Sequence, residues 1–444
     1  MSDITGAASI RPTIARGGAF YRLVWKWHFL ASLYVLPFMA MLSITGGLYL
    51  YKPQIENWLY ADRFYVEAQE TALPIAVQVA QLDTFVGISR MRAVIPPVSP
   101  EHTTRIEFNT SQGVRSYAWI NPYTADIIAV QARDTMLMHQ VKKFHGELLL
   151  GDIGTKFVEL AAHWAVIMLV TGAVLWWPRG AQRLRDRAAL PRLPKNQSAK
   201  RGFWRQMHLF TGMLAVVLVL PILVSGLPWT DVWGGGLNKV QEITGTQSKS
   251  LRFGGSVPKS STDTGEPIAV EQVAAIAAAQ GLATPYEIRP PRKADDAYWM
   301  RSASVNRYAQ SELVIDQYSG AVLARVDFTD NPGVAQAKSL GISFHQGELY
   351  GWANVAQNTV AAVLGVVLSV SGFVAWWMRR PRGSLGVPVA PDAQVSWPVA
   401  AVIVTMMILL PLVGASLIAV LALDWVVFRK LGWFRGASAP HAAE

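Results

Sequence analysis

Four histidines occur in a duplicated pattern that suits metal binding. His28 recurs 180 residues later as His208, and His145 recurs 200 residues later as His345. Each lies at the end of an apolar segment, where a bilayer excludes imidazole unless something inside the protein needs it. A pseudo-twofold repeat places equivalent side chains opposite each other, as axial ligation of one iron by two neutral imidazoles requires. We therefore predict two histidine pairs that bind two metal centres, most simply two haems b.

Two glycines share helical faces with two of these histidines. Gly46 follows His28 by 18 residues, and Gly226 follows His208 by the same spacing. This spacing makes five helical turns, so each glycine lies on the face of its histidine, about 27 Å away along the axis. A glycine there lets a flat macrocycle or another helix approach closely. Helix packing alone explains both glycines equally well.

A fifth histidine, His163, has no counterpart in the repeat, because Val363 stands 200 residues later. It shares a helical face with Lys156 and Glu159. One interpretation is a membrane histidine satisfied by Glu159. Another makes His163 a ligand of the outer haem in place of one member of the pair, or a bridge between the centres with Lys156 near a haem propionate. The residues leave both interpretations open.

Five apolar stretches are long enough to form the elements that position these histidines. About 20 helical residues cross roughly 30 Å of hydrocarbon. The predicted spans cover residues 27–51, 154–177, 206–229, 355–378 and 397–424. The fifth contains Pro411 and Gly414, which membrane helices tolerate. We predict an integral membrane α-helical bundle, internally duplicated, with about five transmembrane helices.

Basic residues set the predicted orientation of these spans. The loop 178–205 carries a cluster of lysines and arginines against a single Asp186: Arg179, Arg183, Arg185, Arg187, Arg192, Lys195, Lys200 and Arg201. By the positive-inside rule this loop is cytoplasmic, as are the N-terminus 1–26 and the loop 379–396. The first histidine pair then lies near the inner surface and the second near the outer one. The tail 425–444 lies outside if the fifth span crosses fully.

The two long inserts between the spans, 52–150 and 230–354, therefore face outward, and both read as small α+β domains. In the second insert, residues 267–280 form a helical run that ends at a glycine. Predicted strands follow at 298–300, 313–315 and 321–325. The first insert repeats the end of this pattern at 119–128. The unit of helix, outer domain and helix is thus present twice.

Composition narrows the class of protein further. With 51% hydrophobic and 16% charged residues in 444, the chain is too apolar for a soluble domain and too polar to lie wholly in a membrane. The absence of cysteine excludes disulfides, iron-sulfur clusters and covalent haem attachment. The net charge of +10 lies beside apolar segments, which indicates membrane orientation rather than nucleic-acid binding. The first 20 residues lack a cleavable signal, so we expect the first span to be an uncleaved anchor.

An ordered set of motifs carries a resemblance to a known family. The motifs are Trp27-His28, Thr45-Gly46, His145-x-x-Leu148-Leu149-x-Gly151-x-x-Gly154, Thr171-Gly172 and Trp176-Trp177-Pro178-Arg179, with their second copies. Together they span about residues 20–382. The chain resembles the PepSY-associated transmembrane family, often described as iron-regulated membrane proteins, and among them the di-haem ferrisiderophore reductases of the bacterial inner membrane. In the second copy, His345-Gln-Gly-Glu departs from the His-Gly-Glu spacing of the first.

The resemblance implies periplasmic PepSY-like domains, haem b held by His28, His208, His145 and His345, and reduction of ferric iron within a siderophore. No nucleotide-binding glycine motif appears in the cytoplasmic segments, so we expect a quinol or a separate reductase to donate electrons. Two competing hypotheses stay open. In one, a haem-containing membrane reductase serves another acceptor. In the other, the chain is a non-redox PepSY binding or inhibitory protein, and its histidines are only polar contacts.

Overall fold

A computed structural model describes residues 17–178, 189–194, 196–251, 257–261, 265–381, 397–424 and 426. The chain forms two compact units. The first comprises Met1–Met41, Glu159–Leu220 and Leu364–Glu444, and the second comprises Leu42–Val158 and Pro221–Val363. The helices are α1 (Gly17–Leu50), α2 (Lys52–Leu59), α3 (Ala61–Phe64), α4 (Ile75–Val86), α5 (Leu137–Glu147), α6 (Asp152–Trp176), α7 (Gln197–Gly226), α8 (Val232–Ile243), α9 (Val270–Ala279), α10 (Gly333–Gln346), α11 (Trp352–Trp377), α12 (Trp397–Leu409) and α13 (Pro411–Asp424).

Several features of the predicted topology lie outside the described residues. They are residues 1–16, most of the basic loop (179–188 and 195), the loop from 382 to 396 and the tail from 427 onward. The side of the membrane predicted for each of these segments therefore stays a prediction.

Four long apolar helices support the membrane assignment. Stretches long and apolar enough to cross a bilayer are Phe20–Leu50, Asp152–Trp176, Ala199–Trp229 and Trp352–Trp377. They overlap the first four spans predicted from hydropathy. Pro37 lies inside α1 and Pro221 inside α7, and both helices continue through them. The prediction of several helices able to span a membrane is confirmed.

The fifth predicted span differs from the expected single crossing. Within 397–424, α12 and α13 meet at a break and are bent by 117° relative to each other. Proline lacks an N–H donor, and its ring clashes with the carbonyl of the preceding turn, so Pro411 begins a new helix. Membrane helices tolerate proline, but here the chain turns at it.

The strands of the two inserts pair into one antiparallel sheet. The strands are β1 (Ile88–Ile95), β2 (Thr104–Thr110), β3 (Arg115–Ile120), β4 (Ile127–Ala132), β5 (Tyr286–Arg289), β6 (Tyr298–Ser302), β7 (Ser311–Ile315) and β8 (Val322–Asp327). Their order is β4-β3-β2-β1-β5-β6-β7-β8. The two halves join where Val94 pairs with Ile288. Each half alone would expose an unpaired edge strand, and pairing β1 with β5 covers both edges.

Each half of the sheet has its own apolar core beneath a helix. In the first half, Leu82 of α4 packs with Phe108 and Ile120, and all three side chains are fully buried. In the second half, Val273 and Ala277 of α9 pack in the same way. Complete burial of a large aliphatic side chain stabilises a fold by about 1.5–3 kcal/mol, so these clusters hold the halves independently.

Candidate metal centres

The inner pair consists of His28 on α1 and His208 on α7, both in the first unit. Their ring centres are 6.5 Å apart, and the ring planes make an angle of 76°. Both residues retain intermediate solvent exposure, so the space between the rings is not packed shut. The pairing expected from the repeat is present, whereas haem binding by this pair stays a prediction.

The outer pair consists of His145 near the end of α5 and His345 near the end of α10, both in the second unit. Their ring centres are also 6.5 Å apart, with an interplanar angle of 72°. The indole of Trp229 contacts the His345 ring edge-on, with 5.3 Å between ring centres. The two pairs therefore have almost the same geometry, although one lies on apolar spanning helices and the other on short helices that precede them.

In the second copy of the repeat, backbone carbonyls fix the histidine tautomers. The Nδ1 of His208 lies 3.3 Å from the Leu368 carbonyl, and the Nδ1 of His345 lies 2.8 Å from the Ile222 carbonyl. A carbonyl can only accept, so each Nδ1 carries the hydrogen and donates it. Each Nε2 then keeps its lone pair, which is the form that ligates a metal.

In the first copy, threonine hydroxyls take the same role. The Nδ1 of His28 lies 3.0 Å from Thr171 Oγ1, and the Nδ1 of His145 lies 2.8 Å from Thr45 Oγ1. The Thr171 hydroxyl donates to the carbonyl of Ile167 at 2.8 Å, so its lone pairs accept from the ring. The Thr45 hydroxyl likewise donates to the Leu42 carbonyl at 3.4 Å and so accepts from His145. The hydrogen bonds therefore assign the Nδ1–H tautomer, with Nε2 unprotonated, to all four histidines.

Each of four glycines makes room for one histidine ring. A Cβ added to the glycine would meet Cε1 of the ring at 3.3 Å for Gly172 and His28, 3.1 Å for Gly372 and His208, 3.1 Å for Gly46 and His145, and 2.9 Å for Gly226 and His345. The sequence predicted that Gly46 and Gly226 admit a macrocycle or a helix on the faces of His28 and His208. In the structure each of these glycines lies against a histidine ring of another helix, and the approach of a macrocycle stays a prediction. Each glycine contacts an imidazole ring, and a side chain in place of the glycine would displace that ring.

The ring separation fits a bis-imidazole metal centre. A metal–nitrogen bond of about 2 Å on each side, with each ring centre roughly 1.1 Å beyond its nitrogen, gives about 6.2 Å between ring centres. Both pairs show 6.5 Å. Two imidazoles on opposite sides of a metal leave the equatorial positions to a planar macrocycle such as haem. Tautomer, spacing and glycine contacts thus all suit haem iron at both pairs.

Electrostatics keep the outer pair neutral. Burial, and to a smaller extent the neighbouring His345, lowers the pKa of His145 to about 4. Burial also lowers the pKa of His345, against a smaller opposite effect of its hydrogen bond to the Ile222 backbone. Both rings are therefore uncharged at neutral pH, as metal ligation requires.

His163 of α6 is not a member of either histidine pair. Its side chain and that of Glu159 are fully buried, with 3.8 Å between His163 Nε2 and Glu159 Oε1. That distance is too long for a hydrogen bond, and neither ring nitrogen has a hydrogen-bond partner among the described residues. Lys156, which the sequence placed near a haem propionate, forms an ion pair with Asp231.

Two asparagines that the sequence reading did not assign support the outer pair. Asn354 and Asn358 lie one turn apart at the start of α11 and are almost fully buried. The Asn358 amide donates to the carbonyls of Phe344 at 2.7 Å and of His345 at 3.2 Å. These bonds satisfy two of the last carbonyls of α10 and fix the backbone at His345. In the sequence, this role is indicated only by the presence of two asparagines four residues apart in an apolar helix.

Comparison with known families agrees with this arrangement. Residues 25–379 match the family model described as PepSY-associated TM region. The matched range includes the four long apolar helices almost completely and the whole eight-stranded sheet. A search of curated proteins gave no match to the chain.

Proposed function

Because the chain belongs to the PepSY-associated TM family, we propose that this member binds two haems b and reduces ferric iron held in a siderophore. The observation that carries the proposal is the geometry of the two histidine pairs. In each pair the ring centres lie 6.5 Å apart, each Nδ1 has a hydrogen-bond partner, and none of the described residues hydrogen-bonds an Nε2. Contacts that served only as polar links between helices would use Nε2 as well, and they would not need a glycine beside each ring.

The chain's own residues would hold and tune the bound group. His28 and His208 would ligate one haem, and His145 and His345 the other. Thr45 and Thr171 orient their rings and raise the basicity of the ligating nitrogens by accepting the Nδ1 hydrogens. Haem supplies one-electron redox chemistry at such sites, with a potential set by axial ligands and their hydrogen bonds.

A ferric chelate is the acceptor that fits the proposed chemistry. Siderophores hold Fe(III) through hard oxygen donors, and Fe(II), with its lower charge, binds those donors far more weakly. One electron therefore converts bound Fe(III) into releasable Fe(II) without breaking a covalent bond. The product is Fe(II) and the iron-free siderophore.

The proposed setting is the bacterial inner membrane, with the sheet on the periplasmic side. The membrane helices and the family support a membrane protein, and the basic segments of the sequence support this orientation. Each quinol would supply two electrons and release two protons as it becomes a quinone, and a separate reductase protein is the other donor class. Contacts with membrane lipid follow from the apolar helix surfaces.

The test is single-turnover reduction by the purified full chain. Protein reduced with dithionite and freed of excess reductant is mixed with ferric citrate, a ferric chelate that carries carboxylates, and a ferrous-specific chelator reports Fe(II). We expect Fe(II) to appear together with reoxidation of the haem bands. A quinone acceptor serves as the comparison. If the quinone reoxidises the protein while no Fe(II) forms from the ferric chelate, the redox protein has another acceptor and the proposal is wrong.

A further inference from the structure

The second unit contains a cavity of about 390 Å³ beside α10. Ligand sites typically enclose about 300–1,000 Å³. Its lining includes Asn238, Gln241, Ser248, Arg307, Lys338 and Ser339. Five of its nine lining residues carry an amide or a hydroxyl, and the two charged ones are both cations.

Lys338 is a cation without an acidic partner. Its ammonium donates to Oδ1 of Asn238 at 2.6 Å, and no carboxylate among the described residues forms an ion pair with it. The residue is partly buried, and burial lowers the pKa of its ammonium. A partly desolvated charge without a counter-ion is unfavourable, so an anion entering the cavity would be stabilised there.

Arg307 contributes a second cationic group and one unused donor. Its Nη2 donates to Glu348 Oε2 at 2.9 Å and to Gln346 Oε1 at 3.2 Å. The buried Nε has no hydrogen-bond partner among the described residues. Buried donors without partners are uncommon in folded proteins, and a ligand oxygen in the cavity would satisfy one.

The cavity wall and the outer histidine pair share a helix. Lys338 and Ile342 of α10 line the cavity, and His345 follows them on the same helix. The spacing of four and three residues puts all three on one helical face, with Lys338 and His345 about 10 Å apart along the axis. Arg307 strengthens the link, because it hydrogen-bonds Gln346, the residue next to His345.

A smaller cavity of about 110 Å³ continues the first, since Ser248, Ala335 and Ser339 line both. The charged residues that line it are Lys249, Arg301, Glu312 and Asp327. Lys249 forms no ion pair with a carboxylate among the described residues. The joined space therefore extends along α10 with a further unpaired cation at its edge. A ligand larger than the first cavity could be accommodated in both.

We infer that this cavity is the docking site of the ferric chelate and that it selects chelates with uncoordinated carboxylates or net negative charge. The inference rests on the proposed function and names its substrate class. The lysine recognises charge, the amides and hydroxyls bind the chelate's oxygens, and the shared helix places the bound iron near the outer pair.

The test measures binding apart from redox chemistry. Full-length protein in detergent is titrated calorimetrically with gallium(III) citrate, an anionic chelate of a metal that is not reduced under these conditions. We expect Lys338→Glu to weaken binding by about tenfold or more, because a charge-assisted hydrogen bond contributes about 1.5–3 kcal/mol. Lys338→Arg should retain the affinity within about threefold, since it keeps the charge. A neutral gallium trihydroxamate should respond far less to Lys338→Glu.

Lys259→Glu is the matched control, because it makes the same charge reversal at an exposed lysine that pairs with Asp295. It should leave gallium citrate binding unchanged. Absence of wild-type binding, an unaffected Lys338→Glu variant, or equal weakening by Lys259→Glu would each overturn the inference. If Lys338 controls binding but no Fe(II) is ever produced, the docking site stands and the reductase proposal fails. If wild type and Lys338→Glu produce Fe(II) from ferric citrate equally well, the reductase proposal stands and the docking site fails.

Discussion

The two copies of the repeat hold their histidines with different atoms. In the first copy, threonine hydroxyls accept from the ring Nδ1. In the second, Ser225 and Ser371 stand at the threonine positions, and the rings of His345 and His208 turn to backbone carbonyls instead. In both copies each ring Nδ1 has an acceptor, and none of the described residues hydrogen-bonds an Nε2. Both copies therefore retain the same histidine tautomer, although the acceptor that sets this tautomer differs between them.

The serines of the second copy still touch the same network. Ser225 Oγ donates to the Ile222 carbonyl at 3.0 Å, and Ser371 Oγ donates to the Leu368 carbonyl at 3.1 Å. These are the carbonyls that accept from the histidines. Each serine thus shares an acceptor with a ring, whereas each threonine is itself the acceptor. In the first copy, substitution of the threonine removes the acceptor of Nδ1. In the second copy, substitution of the serine leaves the backbone carbonyl that accepts from Nδ1.

Removal of a histidine should have the greatest effect, and it tests whether haem binding needs both copies of the repeat. His28→Ala and His208→Ala should each lower the haem content from two to one per chain, because one imidazole cannot replace the pair. His145→Ala and His345→Ala should do the same for the other centre. Haem quantification by pyridine haemochrome absorbance measures this. His163→Ala serves as control and should retain both haems; a loss there would make His163 a ligand.

The next effect separates the copies by how tightly each glycine fits. At Gly226 an added Cβ would lie 2.9 Å from the His345 ring, against 3.3 Å between Gly172 and His28. Overpacking costs about 1–3 kcal/mol. Gly226→Ala should therefore lower haem retention and thermal stability more than Gly172→Ala does. Gly236→Ala is the matched control, because a Cβ there meets no atom within 4 Å. Equal effects of Gly226→Ala and Gly236→Ala would contradict the ring contact.

A subtler effect targets the acceptor itself. Thr45→Val keeps the side-chain shape and removes the acceptor of His145, which lowers the basicity of the ligating nitrogen. We expect a higher midpoint potential for that haem and about 10–100-fold weaker haem retention. Ser225→Ala should change little, because the Ile222 carbonyl remains. Spectroelectrochemical titration of both variants measures the potentials. Similar shifts in the two variants would remove the distinction between the copies.

The smallest effect is a pH dependence of stability that should differ between two equivalent turns of the eight-stranded sheet. The first copy has Asn121 where the second has Asp316. Burial alone would raise the pKa of Asp316, but N–H groups of Ser319, Ser261 and Tyr318 lower it to about 2. A depressed carboxyl pKa stabilises the fold above the ordinary value near 4, and this stability is lost as pH falls toward 2.

The corresponding experiment compares thermal unfolding of the full chain in detergent at pH 5 and pH 3. The wild type should lose about 1 kcal/mol more than Asp316→Asn over this interval, because the amide does not titrate. Asn121→Asp supplies the converse variant and should gain some pH dependence. Parallel pH profiles for wild type and Asp316→Asn would mean that the turn bonds do not favour the charged carboxyl.

The sequence was sufficient for the histidine pairs because the repeat alone places equivalent residues opposite each other. Hydropathy likewise located the four long helices, since a spanning helix needs a continuous apolar run. Three features had no such signal. The joining of β1 to β5 depends on a long-range edge contact, and the 117° bend after Leu409 depends on whether the chain continues or turns at Pro411. Backbone acceptors such as the Leu368 carbonyl carry no side-chain signature at all.

The most direct test of the central claim is the reduced-minus-oxidised absorbance spectrum of the purified wild-type chain, combined with its haem-to-protein ratio. We predict two b-type haems per chain, both six-coordinate and low-spin, as two bis-imidazole sites require. A chain purified from haem-replete cells that folds normally but shows no Soret band would contradict it.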